Sequence, residues 1–100
     1  MAKGYWIVHV DVSDNDAYQN YVKANGEAFR KYGAKFLVRA GRFESMEGKP
    51  RARHVVIEFE DYATALACYR SPDYQRAMEL REGAATADFT IVEGYDAPQP

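Results

Sequence analysis

The chain has 100 residues, of which 47% are hydrophobic, 28% charged and 14% aromatic, with a formal net charge of −2 and one cysteine. That length suits one domain over residues 1–100, with a single modest core at about 4–96. The lone Cys68 excludes an internal disulfide framework, the near-neutral balance argues against a nucleic-acid surface, and no apolar run reaches the ~18–20 residues of a membrane span.

Residues 4–12, Gly-Tyr-Trp-Ile-Val-His-Val-Asp-Val, are dense in β-branched and aromatic types and predict a strand. Ser13, Asp14 and Asp16 supply capping and acidic residues for a helix start. Tyr18, Tyr21, Val22, Asn25, Phe29 and Tyr32 then recur at helical spacing, and Gly33 is placed to end that helix in a left-handed conformation. Residues 35–44 predict a second strand, Gly48 and Pro50 a turn, and residues 51–60 a third strand. Asp61 caps a helix with Tyr62, Ala65, Leu66 and Tyr69 on its inner face, and Ser71-Pro72 breaks it. A further helix runs to about Glu82, Gly83 stops it, and Asp88–Tyr95 predicts a fourth strand before a tail, Asp96–Pro100. Strand, helix, strand, strand, broken helix, strand is the ferredoxin-like α+β order βαββαβ, on a four-stranded antiparallel sheet.

Strand side chains alternate between faces, so parity assigns them. Trp6, Val8, Val10 and Val12, Phe36, Val38 and Ala40, and Val55, Ile57 and Phe59 suit the side beneath the helices; in the fourth strand Thr90 and Val92 are assigned there. The opposite face then carries Tyr5, Ile7, His9, Asp11, Leu37, Arg39, His54, Val56, Glu58, Phe89, Ile91, Glu93 and Tyr95. That much apolar sheet is an association liability, which a second copy related by a two-fold axis would relieve. The expected product is a homodimeric barrel whose polar residues line a cavity between two sheets.

The blocks Tyr5–Asp14, Phe36-Leu-Val-Arg-Ala-Gly-Arg-Phe-Glu44, His54-Val-Val-Ile-Glu-Phe59, Ala65-Leu-Ala-Cys-Tyr-Arg-Ser-Pro-Asp-Tyr74, Leu80-Arg81 and Ile91-Val-Glu-Gly-Tyr95 resemble the domain of unknown function 1330 family. That family lies within the dimeric α+β barrel superfamily, and the resemblance covers residues 4–96. Ala40 stands where glycine is more usual. The resemblance implies a ferredoxin-like protomer and a barrel-like homodimer. It does not select a chemistry, because the superfamily spans cofactor-independent monooxygenases, isomerases, haem enzymes and plain binding proteins.

Within that frame His9 and Glu58 are the candidate catalytic pair, as proton carriers; the bland alternative is a histidine bonded across the sheet and a carboxylate paired with Arg39. Arg39 is the candidate anchor for a carboxylate or phosphate, or else an ion-pair partner of Glu58 or Glu93 that sets dimer register. Tyr5, His54, Tyr69, Tyr74, Arg81 and Glu93 complete the candidate ligand set, the two tyrosines flanking the helix break at a cavity mouth. Ser71 belongs to it too, although its context reads as an N-cap followed by proline at the first helical position. The histidines lack metal-ligand spacing and Cys68 lacks an activating neighbour, so no metal and no cofactor is expected. Arg42, Lys49, Arg51 and Arg53 read as a solvated rim.

Three functions compete on these residues. The first is a cytoplasmic homodimer binding a small anionic or aromatic metabolite in the cavity on the helix-free face, with or without cofactor-independent acid/base or oxygenase chemistry. The second is a structural or interaction module whose barrel is filled by side chains. The third is haem binding, which needs an axial histidine facing a large pocket.

Overall fold

The computed structural model describes residues 2–100. Strand β1, Gly4–Val12, leads into helix α1, Asn15–Lys31, then β2, Lys35–Arg39, and β3, Arg53–Phe59. Helices α2, Tyr62–Arg70, and α3, Pro72–Glu79, precede β4, Ala85–Glu93. The strands form one antiparallel sheet in the order β2-β3-β1-β4, with the helices on one face. This is the ferredoxin-like βαββαβ architecture. No helix among the described residues is long and apolar enough to cross a membrane.

Local chemistry sets the helix ends. The Asp14 carboxylate accepts from the Ala17 amide at 3.1 Å and starts α1. At the other end Gly33 adopts φ 68°, and the Ala34 amide returns to the Phe29 carbonyl at 2.9 Å in a Schellman turn. Asp61 caps α2 through the Thr64 amide at 2.8 Å. Ser71 both ends α2 and begins α3: its Oγ donates to the Cys68 carbonyl at 2.7 Å and accepts from the Tyr74 amide at 3.2 Å.

Trp6 is the centre of the core. It is fully buried, its Nε1 donates to the Ala65 carbonyl at 2.9 Å, and its ring meets Phe29, Phe59, Tyr69, Tyr74 and Phe89 with centroids 4.9–5.9 Å apart. Most of these pairs are edge-to-face, the favoured aromatic geometry. Cys68 lies in the same core, donates weakly to the Ala28 carbonyl at 3.9 Å, and burial pushes its thiol up to about 12. Gly4 is required where β1 passes under α2, because a Cβ there would collide with the Asp61 carbonyl.

Two strands depart from the simple alternation, and both departures change which face a side chain occupies. In β2 the register against β3 slips between Phe36, opposite Ile57, and Val38, opposite Val56. The extra residue, Leu37, forms a bulge, so Val38 turns to the helix-free face and Arg39, opposite Val55, to the helix side. In β4, pairing with β1 begins at Ala85, three residues earlier than predicted, because α3 stops at Glu79 and a turn through Gly83 (φ 78°) follows. The observed register sets Phe89 opposite Val8 and Ile91 opposite Trp6. Phe89 and Ile91 therefore belong to the core side, and Thr90 and Val92 to the helix-free face, the reverse of the parity assignment.

Strand β2 is also shorter than residues 35–44. Ala40 takes φ 57°, a left-handed conformation that leaves the strand direction, and residues 40–52 form an exposed connection. The Arg51 guanidinium ties this connection down, donating to Asp11 and Asp88 at 2.9 Å each. The alanine methyl is the strained element at position 40. Ala40→Gly is expected to stabilise the fold by about 0.5–1 kcal/mol after the entropy of the unfolded glycine is counted. Thermal unfolding would register this as a gain of roughly 2–6 °C; a loss on that scale would show that the left-handed turn is unstrained.

Candidate functional site

The helix-free face carries Tyr5, Ile7, His9 and Asp11 from β1, with His54, Val56 and Glu58 opposite them on β3. Its polar groups are partly engaged with one another, and His54 Nε2 is buried without a partner. The Tyr5 hydroxyl donates to Glu58 at 3.3 Å, and the Nδ1 atoms of His9 and His54 share a hydrogen bond at 2.9 Å. Burial and the Glu58 carboxylate raise the Tyr5 phenol above its ordinary value. Phe43 packs edge-on to His54 with centroids 4.4 Å apart, pinning the exposed connection to this face. Between these pairs lie Ile7 and Val56, half-buried, with Val38 and Val92 exposed beside them.

The other face holds a cleft between α1 and the sheet. Its walls are Trp6, Val8, Tyr18, Tyr21, Phe29 and Phe36, and its polar lining is Asn25, Arg39 and Arg53. It encloses about 30 Å³ for the centre of a water-sized sphere, within about 370 Å³ of unfilled space that includes its mouth. At rest it has room for one or two waters. The cationic side chains lie on the wall rings: Arg39 over Phe36 at 4.1 Å, Arg53 over Tyr18 at 5.3 Å, and Arg81 over Tyr21 and Phe89 at 5.1 and 4.7 Å. Among the described residues none of these three guanidiniums has a carboxylate within ion-pair distance, whereas Arg51 and Arg76 do.

Deeper in, hydrogen bonding is incomplete. Asn25 is 5% exposed, and its Oδ1 is buried with no partner, as are the Nε atoms of Arg53 and Arg81. The Tyr21 and Tyr74 hydroxyls meet at 2.6 Å beside Asn25 and Arg81. Burial raises both phenols; Tyr74, Arg81 and Asn25 each pull Tyr21 part of the way back.

The sequence-predicted residues are thus divided. Tyr5, His9, His54 and Glu58 share the helix-free face as expected. Arg39 does not, because the β2 bulge carries it to the helix side, and it pairs with neither Glu58 nor Glu93. Glu93 lies opposite Gly4, on the helix-side parity at the sheet's end. Ser71 is 5% exposed and its hydroxyl is occupied by the two caps, so it faces no ligand. Tyr69 and Tyr74 frame no mouth: Tyr74 is fully buried, and the Tyr69 hydroxyl meets the Met78 sulfur at 3.5 Å. Arg81 stands over the cleft wall. Arg53 is not part of the solvated rim expected of it but lines the cleft, half-buried, and Tyr18, Tyr21 and Asn25, expected only as helix positions, line it too; two signals for this are present in the sequence. Asn25 is an amide on an apolar helix stripe, and Arg53 shares parity with Val55 and Ile57.

Several solved structures share this fold. A protein of unknown function from Rhodopseudomonas palustris superposes with TM-score 0.74 at 20% identity, over 96% of this chain and 85% of that one. SnoaB, a cofactor-independent oxygenase from Streptomyces nogalater, gives 0.64 at 11% identity, over 100% and 97%. A dimeric protein of unknown function with a ferredoxin-like fold, from Bacteroides fragilis, gives 0.54 at 12% identity, over 91% and 95%. No curated protein matches at a significant level. The profile of the domain of unknown function DUF1330 matches residues 3–95, and the chain therefore belongs to that family.

Proposed function

We propose that this protein is a homodimer, joined through its helix-free sheet faces, that binds a small anionic, aromatic metabolite in the helix–sheet cleft of each protomer. The observation that carries the ligand is the trio of Arg39, Arg53 and Arg81, stacked on the rings of the cleft with no carboxylate partner. Arg53 and Arg81 are partly buried cations without a counter-charge, which is costly, and a bound acid supplies the charge with bidentate geometry. The apolar rings supply the walls that a flat ligand needs. Arg39 is exposed, so the ligand enters as the arginines lift from Phe36 and Tyr18 and then close on its acidic group. The dimer is supported by the apolar centre of the helix-free face and by the dimeric state of the Bacteroides fragilis relative.

A catalytic version of this reading, cofactor-independent acid/base or oxygenase chemistry, is favoured by the Tyr21 hydroxyl of the cleft lining, paired with that of the buried Tyr74, and by the shared fold of SnoaB. In either version His9, His54, Tyr5 and Glu58 act at the dimer face rather than on the ligand. Binding is tested by thermal shift and calorimetry with a panel of aromatic carboxylates against their neutral amides. The acids are expected to raise Tm and the amides to do so little. Arg53→Gln is expected to weaken acid binding about tenfold or more, as loss of a charge-assisted hydrogen bond of roughly 1.5–3 kcal/mol implies. Equal binding of acids and amides, or an unchanged affinity in the variant, would remove the basis for the anion site.

A further inference from the structure

Given the cleft as a site for an aromatic acid, the atoms at its base say more about the molecule. Asn25 projects from the middle of α1 and is 95% buried by its residual exposure of 5%, yet its Oδ1 accepts from nothing. A buried amide oxygen left without a donor is destabilising and uncommon in folded proteins. Asn25 lies beside the Tyr21 hydroxyl. The Tyr21 and Tyr74 hydroxyls are committed to each other at 2.6 Å. Of the positions left open around the cleft, the Nε atoms of Arg53 and Arg81 are donors and Asn25 Oδ1 is the acceptor.

We infer that the ligand is a hydroxylated aromatic acid: its carboxylate meets Arg53 and Arg39, and its ring hydroxyl donates to Asn25 Oδ1. This rests on the reading of the cleft as a binding site and adds the second polar point of the ligand. The two points are complementary in kind. The arginines are donors only and take an anion, while Asn25 Oδ1 is an acceptor only and takes an O–H or N–H. Tyr18, Phe29 and Phe36 line the same cleft, and their rings flank a flat ligand once the arginines have lifted and the cleft has widened beyond its resting volume. A hydroxyl placed against a buried acceptor discriminates strongly, because an analogue without it leaves the acceptor unpaired in a dry site.

The wild-type dimer tests this directly, by calorimetry with benzoate, its three monohydroxy isomers and the corresponding methoxybenzoates. At least one hydroxy isomer is expected to bind about tenfold or more tightly than benzoate, and its methyl ether, which keeps the oxygen but cannot donate, to lose that gain. Asn25→Leu is expected to abolish the preference for the hydroxyl, so that benzoate and its hydroxy isomers bind alike. Acids that bind with no preference for a hydroxyl, or a preference that methylation leaves intact, would overturn the inference and leave the anion site standing. A preference that survives Asn25→Leu would do the same. If no acid in the panel binds, the site itself is refuted and the inference falls with it.

Discussion

Trp6→Ala is expected to cost about 3–5 kcal/mol, the range for deleting a large buried aromatic side chain. Against a total stability of roughly 5–15 kcal/mol for a domain of this size, that is between about a fifth and all of it. The cost has three sources on one side chain. The indole fills the centre of the core among Phe29, Phe59, Tyr69, Tyr74 and Phe89, so its removal leaves a void lined by rings whose edge-to-face contacts vanish together. Its Nε1 also holds the Ala65 carbonyl inside α2, and that acceptor would lose its side-chain partner. The site cannot collapse easily, because β1 is paired on both edges. Thermal melting is expected to fall by more than about 15 °C, with Trp6→Phe intermediate. A Trp6→Ala variant that melts within a few degrees of the wild type would show that the core does not depend on this ring.

The second large effect concerns assembly. Ile7 and Val56 face one another across β1 and β3 on the helix-free side, with Val38 and Val92 flanking them. A pair of such faces related by a two-fold axis buries each residue twice. In the proposed dimer, Ile7→Asp or Val56→Asp would therefore place two carboxylates in the interface, at a cost of about 3 kcal/mol or more for an unpaired buried charge. That raises the dimer dissociation constant at least about a hundredfold. Sedimentation at micromolar concentration is expected to find a dimer for the wild type and a monomer for either variant. Acid binding in the cleft is expected to persist per protomer, since the cleft opens on the opposite side of the sheet. A wild type that sediments as a monomer, or variants that remain dimeric, would refute the interface.

The element order was legible from residue patterns, and so were most of the boundaries. Asp14, Asp61 and Ser71 announce the helix starts through capping chemistry that operates within three or four residues. Gly33 and Gly83 announce the stops through the positive φ they adopt. Parity also worked wherever the alternation ran unbroken: Trp6, Val8 and Val10, and Val55, Ile57 and Phe59, are all buried. It failed at the sheet's two edge strands, where one residue of slippage exchanges the faces. Leu37 bulges out of β2 and takes Arg39 with it to the helix side. A start at Ala85 in β4 moves Phe89 and Ile91 inward.

The slippage at the two edge strands also moves the site. With Arg39, Glu93 and Phe89 assigned to the helix-free face, the chemistry collected there; with the observed registers it separates. The helix-free face keeps Tyr5, His9, His54 and Glu58, which bond one another. The helix side gains Arg39 beside Arg53, Asn25 and the tyrosine pair. Residue types and their spacing, which report local preference, were enough to determine a ferredoxin-like α+β chain with a surplus of apolar sheet. The cleft between α1 and the sheet was decided by tertiary structure alone. Its walls come from α1 and all four strands, and membership depends on registers set by pairing between segments tens of residues apart, which no local pattern encodes.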